Sequence, residues 1–203
     1  MKILWFISSS VIILSSCSNF IFRKAPSESI AVRKDMSGFS DTVNVRKYKA
    51  TINIKNAEMT GILICKKTSD STSAGSFINE FGLKGFDFSI SGSHAKLGYT
   101  FKKLDKWYIR NTLETDLHFM FFQPDLNNIF YVNDTLAYVT KIGKRLNYVY
   151  YITGDNKTEH ADMFKGAIKT LTLQKYYNDM MELVLKMRHV KGSLSYEFNE
   201  IKN

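Results

Sequence analysis

The stretch Lys47-Tyr48-Lys49-Ala50-Thr51-Ile52-Asn53-Ile54-Lys55 decides the fold. Tyr48, Ala50, Ile52 and Ile54 alternate with Lys47, Lys49, Asn53 and Lys55. Successive side chains of a strand point to opposite faces, so this period of two predicts a strand with one apolar and one wet face. Asn56-Ala57-Glu58 reads as a turn and Met59 to Lys67 as a second strand. Within it Ile62, Leu63, Ile64 and Cys65 are apolar at consecutive positions, which predicts a strand covered on both faces.

Going forward, Ser69 to Ser73 is a polar turn, and Ala74 to Glu80 and Gly85 to Ser91 read as strands around Gly82-Leu83-Lys84-Gly85. Phe77, Asn79 and Phe81 fall on one face, and Phe86, Phe88 and Ile90 on another. The glycines allow a bend or a bulge where the register of the apolar face changes. Ser91-Gly92-Ser93 precedes a strand from His94 to about Phe101.

The one amphipathic helix follows. Asp105 can cap it. Tyr108 or Ile109, Leu113, Leu117, Met120 and Phe121 recur at steps of three and four, with Lys106, Arg110, Asn111, Glu114 and Thr115 on the other side. Gln123-Pro124 ends it, because proline disfavours helical geometry in the residue before it.

After Pro124 the strand pattern resumes. Ile129 to Val132, Thr135 to Lys141 and Leu146 to Thr153 are rich in Tyr, Val and Ile, and Asn133-Asp134 makes a plausible hairpin turn. Gly154 to Lys157 is a polar turn, and Ile168 to Tyr176 alternates again. Glu182 to Val190 and Ser193 to Ile201 form a terminal hairpin about Lys191-Gly192, although Met180 to Met187 also fits a short helix.

Before Val43 the chain has another character. Lys2 is followed by the apolar runs Ile3 to Ile7 and Val11 to Leu14, too short to span a bilayer and arranged as a signal peptide over residues 1–16. Leu14-Ser15-Ser16-Cys17 resembles the bacterial lipobox, in which small residues precede a cysteine whose thiol receives a diacylglycerol. Cys17 is the expected lipidation site and membrane contact. Ser18 is not an aspartate and no acidic cluster follows, so by resemblance an outer-membrane, periplasm-facing position is expected. Residues 17–42, polar and basic with Pro26 and Gly38, read as the anchored linker, with a weak helical pattern at Ile30, Val32, Arg33 and Met36. Residues 43–203 read as a single β-rich domain.

The whole chain of 203 residues is 44% hydrophobic and 14% aromatic, ample for a packed core. Its net charge is +9, and +8 once Lys2 is lost with the signal. In an exported protein the abundant acidic partners are lipid head groups, and nucleic acid is in the wrong compartment. The basic residues are spread along the chain, so solubility explains the charge equally well. Lys66, Lys67, Lys84, Lys102 and Lys103 are candidates for a basic rim.

The lipobox, the linker, the strands holding Gly61-Ile62-Leu63-Ile64, Phe77-Ile78-Asn79-Glu80-Phe81-Gly82 and Phe86-Asp87-Phe88, and the helix between strand blocks are together similar in layout to the LolA/LolB lipoprotein-localisation fold. They also resemble uncharacterised outer-membrane lipoproteins of Bacteroidota. The resemblance implies a mostly β, antiparallel, curved open half-barrel with one amphipathic helix on its concave face. It implies binding of lipid or lipoprotein acyl chains in an apolar concavity, and carries no functional residue across. Phe77, Phe81, Phe86, Phe88, Leu113, Leu117 and Met120 are the candidate wall and plug, and an ordinary closed core accounts for them as well. The alternative is a structural or assembly lipoprotein with a filled interior that docks an envelope protein.

Nothing in the sequence assembles a catalytic group. Cys65 lies in an apolar run, and His94, His118, His160 and His189 are scattered. Asp105, Glu114 and Asp116 read as capping and surface charges. His160 and Asp162 have no third ligand at a recognisable spacing, so neither a metal nor a cofactor is expected.

Overall fold

The computed structural model describes residues 22–24, 45–55, 57–69, 72–92, 94–122, 129–132, 135–152 and 159–202. The signal peptide, Cys17, most of the linker, and the turns at Asn56, Asn133-Asp134 and Gly154 to Lys157 lie outside them, as does Gln123-Pro124.

One antiparallel sheet holds all the strands of the described residues: β1 (Phe22–Lys24), β2 (Val45–Ile54), β3 (Ala57–Ser69), β4 (Thr72–Asn79), β5 (Lys84–Ser91) and β6 (His94–Thr100) before the helix, then β7 (Ile129–Val132), β8 (Thr135–Ile142), β9 (Leu146–Tyr151), β10 (His160–Lys165), β11 (Ile168–Tyr177), β12 (Leu183–His189) and β13 (Leu194–Glu200). The helix α1 spans Trp107–Phe121. The sheet order is β1-β7-β8-β9-β10-β11-β12-β13-β2-β3-β4-β5-β6, so β1 and β6 are its open edges.

The sheet is curved, and the helix reveals how far. Phe119 packs on Tyr148 and Tyr150 of β9, with ring centroids at 4.8 and 5.7 Å, and Phe121 stacks on Phe88 of β5 at 5.9 Å. β9 and β5 are eight strand steps apart in the order. A flat sheet would separate them by about 38 Å at about 4.8 Å per step. One turn of helix touches both, so the sheet curls around α1, which occupies its concave side.

The inward face carries the main core: Tyr48, Ala50 and Ile52 of β2, Leu63 and Cys65 of β3, Phe86, Phe88 and Ile90 of β5, and Leu185 and Met187 opposite Phe198 and Tyr196 in the terminal hairpin. The period-two reading of β2, β5, β12 and β13 therefore corresponds to the sheet, and Met180 to Met187 is not helical. A smaller cluster, Val132, Ala137, Val139, Val149 and Phe164, lies on the other face of β7 to β10. Asp162 is buried beside it, paired with His160 and Lys169 at 3.2 Å each and accepting a hydrogen bond from Thr172 at 2.8 Å. Burial raises its carboxyl pKa, but these bonds and charges outweigh that and hold it below the ordinary carboxylate value.

Several expectations are corrected. Ile62 is exposed, so β3 has one wet face where four consecutive apolar residues predicted two dry ones. Asp105 does not cap α1: Lys106 holds the cap position without a side-chain bond, and Asp105 instead pairs with Arg110 at 2.9 Å. Asp116 is fully buried and is no surface charge. β10 was not read from the sequence, because the outer-face positions His160 and Asp162 made it look polar. Phe22–Lys24, within the expected linker, forms a short strand on β7, with Phe22 opposite Val132.

Candidate functional site

Gly85 starts the site. In the β4–β5 ladder Phe77 faces Phe86 and Ile78 faces Lys84, which leaves Gly85 as the extra residue of a bulge. A Cβ on Gly85 would meet the Phe77 ring at 2.6 Å, so only glycine lets that ring lie across the strand. The change of register anticipated at these glycines falls here.

The hairpin turn is built by Asn79. Its Oδ1 accepts from the backbone N–H groups of Phe81 at 3.0 Å and Leu83 at 2.9 Å, and Gly82 takes the left-handed φ of 77° that the turn requires. Phe81 is thereby thrown outward, 87% exposed, with Leu83 61% exposed. The expectation that Phe81 continues the face of Phe77 is corrected: the strand ends at Asn79 and its alternation ends with it.

Beneath the turn is a pocket of about 420 Å³. Its apolar wall comes from Ile54 and Met59 of the β2–β3 hairpin, Phe77, Leu83, Phe101 and Leu104 of the β6–α1 connection, and Ile109 of the first helical turn. Glu58, Glu80, Lys84 and Lys103 stand around it. Lys84 is held by Asp87 at 3.1 Å and lies over the Tyr99 ring at 5.9 Å. Of the seven candidate wall residues, Phe77 and Phe81 line this pocket. Phe86, Phe88, Leu113, Leu117 and Met120 are packed in the closed core. Of the candidate basic residues, Lys84 and Lys103 reach the pocket.

The helix carries a polar network that the sequence reading missed. Asp116 Oδ2 accepts from Tyr196 Oη at 2.6 Å and is bonded to His189 Nε2 at 2.8 Å. Asp116 Oδ1 has no partner among the described residues. His118 lies one side over: Nε2 is 3.1 Å from the Gly92 carbonyl and Nδ1 is 3.0 Å from Tyr148 Oη. A carbonyl only accepts, so Nε2 carries the proton and Nδ1 accepts from Tyr148. Burial lowers the His118 pKa and raises those of Tyr148 and Tyr196, the nearby Asp116 adding to both tyrosine shifts. A second, more open pocket of about 350 Å³ reaches His118 and Tyr148 past His94, Asn111 and Glu114.

Both His118 nitrogens are engaged, and the Cys65 thiol is buried with its pKa pushed up. Among the described residues no three His, Cys, Asp or Glu side chains are placed to hold a metal, and no helix is long and apolar enough to cross a membrane. The arrangement can hold an apolar ligand at one end of the half-barrel.

No protein-family model matches the chain, and no curated protein matches it. Among solved structures, it is similar to a domain from Vibrio parahaemolyticus that carries the name outer membrane lipoprotein-sorting protein. The identity is 11%, over 78% of this chain and 84% of that one, with a TM-score of 0.45. It is also similar to a LolA superfamily protein from Nitrosomonas europaea. There the identity is 8%, over 83% and 88% of the two chains, with a TM-score of 0.47.

Proposed function

We propose that the protein is an envelope lipoprotein that binds an acyl chain of a lipid or lipoprotein in the pocket beneath the Asn79 turn. In this reading a diacylglyceryl group on Cys17 holds it to the outer membrane, facing the periplasm, and the domain carries or receives its ligand without chemistry. One observation carries the proposal: a mostly apolar pocket of about 420 Å³ opens beside outward-facing Phe81 and Leu83, with Lys84, Lys103, Glu58 and Glu80 around it. Pockets of this size suit small apolar ligands. The large concavity expected from the fold is filled by α1, so the ligand is one chain at the rim.

A second reading has an observation of its own. Phe86, Phe88, Leu113, Leu117 and Met120 belong to a closed core, and an exposed Phe81–Leu83 tip fits an assembly lipoprotein that docks an envelope protein. Native mass spectrometry of the mature chain with phospholipid and with an acylated peptide separates the two. A stoichiometric adduct, lost in Leu83→Asp with the circular dichroism unchanged, supports the carrier. If neither ligand gives an adduct, the carrier reading fails and the docking reading stands.

A further inference from the structure

The same five-residue turn is built twice, once at each rim of the half-barrel. Asn79 to Leu83 closes β4–β5, on the rim that also holds the β2–β3 and β12–β13 turns and the pocket. Asn178 to Glu182 closes β11–β12 on the opposite rim. There Asn178 Oδ1 accepts from the N–H groups of Met180 at 3.0 Å and Glu182 at 2.9 Å, as Asn79 does from Phe81 and Leu83. The backbone bonds match too: Asn79 N–H to Leu83 O and Asn178 N–H to Glu182 O, Gly82 N–H to Asn79 O and Met181 N–H to Asn178 O.

The difference is at the fourth position. Gly82 takes its φ of 77° freely, whereas Met181 holds 57°, where a bulky side chain is strained. The second turn thus keeps a methionine where its geometry favours glycine. Met180 and Met181 are 73% and 67% exposed, and Tyr177 next to them 55%. Asp179, Glu182, whose carboxylate accepts from Asn178 Nδ2 at 2.9 Å, and Lys202, whose Nζ reaches the Met180 carbonyl at 3.5 Å, flank the tip, and its outermost side chains are the two apolar methionines.

The chain enters the sheet at this same rim. β1 runs antiparallel to β7 with Phe22 opposite Val132, the end of β7 next to the β7–β8 turn. Cys17 precedes Phe22 by five residues, which reach at most about 18 Å. Eight-residue strands such as β5 rise about 27 Å, more than the tether can span to bring the pocket rim to the anchor.

We infer that the Met180–Met181 turn and Tyr177 rest in the interfacial layer of the membrane that holds the Cys17 lipid, and that the pocket rim faces away from it. This rests on the lipid-anchor reading. The ligand then reaches the pocket from the aqueous side and not by sliding out of the anchoring leaflet.

The test uses the mature, lipidated chain in vesicles of phosphatidylethanolamine and phosphatidylglycerol containing a nitroxide-labelled lipid. A fluorophore is placed on Met181→Cys or on Leu83→Cys, Cys17 being acylated and Cys65 buried. Flotation with the vesicles, lost in Cys17→Ser, establishes the anchor. The expected result is a blue shift and strong quenching at 181 with no change at 83, insensitive to salt. Quenching at 83 equal to or greater than that at 181, or at neither position in a chain that floats, overturns the inference and leaves the anchor standing. A chain that does not float overturns both.

Discussion

Tyr196 donates its hydroxyl to the Asp116 carboxylate at 2.6 Å, joining β13 to the buried half of the helix. The only other bond to that carboxylate among the described residues comes from His189, whose ring is partly exposed. Removing the tyrosine hydroxyl leaves a buried charge with one partner. Tyr196→Phe is expected to lose about 1.5–3 kcal/mol in urea unfolding, as for hydrogen bonds to charged groups. His189→Gln is expected to lose less, since water can reach its place. Equal losses would show that the carboxylate does not depend on its buried partner.

His118 sets a pH dependence. Burial lowers its pKa in the folded chain below the ordinary value of 6.5. Between those two values the unfolded chain binds the extra proton, so stability rises with pH there. The contribution is complete above about pH 6.5 and is lost as the pH falls through the folded value. The urea midpoint should fall on acidification below about pH 6.5, and the step should shrink in His118→Gln. An unchanged step would exclude His118 as its source.

Leu117 and Phe81 were indistinguishable as candidate wall residues and now differ sharply. Leu117 is buried in the core and Phe81 stands on the tip of a turn. Leu117→Ala should cost about 2–5 kcal/mol by opening a cavity. Phe81→Ala should change stability by no more than about 0.5 kcal/mol, as for surface positions, while weakening the acyl adduct in mass spectrometry.

Gly61 faces Asn79 across the β3–β4 ladder, and a Cβ there would collide with the Ile78 carbonyl oxygen and Asn79 Cα. These are backbone atoms and cannot swing aside. Gly61→Ala is expected to cost about 1–3 kcal/mol, the range for overpacking, and, because Asn79 builds the turn, to disturb the pocket. Nuclear magnetic resonance shifts confined to Gly61 itself would contradict the second part.

How much of this was legible follows from the period of each segment. β2, β5 and the terminal hairpin face one core with one side, so alternation named Ile52, Phe88, Leu185 and Phe198 as inward. The helical spacing likewise placed Leu113 and Leu117. The reading failed where a polar residue is buried with its own partners. Asp116 read as a surface charge and His118 as one of four scattered histidines, but residues 116–121 are buried all round because the sheet wraps that half of the helix. Asp162 misled in the same way, its partners Lys169 and Thr172 lying on the next strand. Of the residues lining the candidate pocket, Phe77 and Phe81 were named as candidate wall from the sequence. The contributions of Ile54, Leu104 and Ile109 come from the curvature, which no local pattern encodes.

The missing cap at Lys106 makes the helix uneven. Its first turn has no acidic residue and no side-chain bond from the cap, and Lys102, Lys103 and Lys106 outnumber Asp105 at the positive end of its dipole. Arg110, bonded to the Leu97 carbonyl at 2.7 Å and to Thr100 at 2.8 Å, ties the helix to β6, and the buried stretch 116–121 beyond it is wrapped by the sheet. Burial therefore grades along a single rod, from an open first turn to an enclosed last one. Ile109, a wall of the pocket, packs on the core from this open end, so the pocket is lined by the least enclosed turn of the helix, where local opening is expected to cost less than at the root.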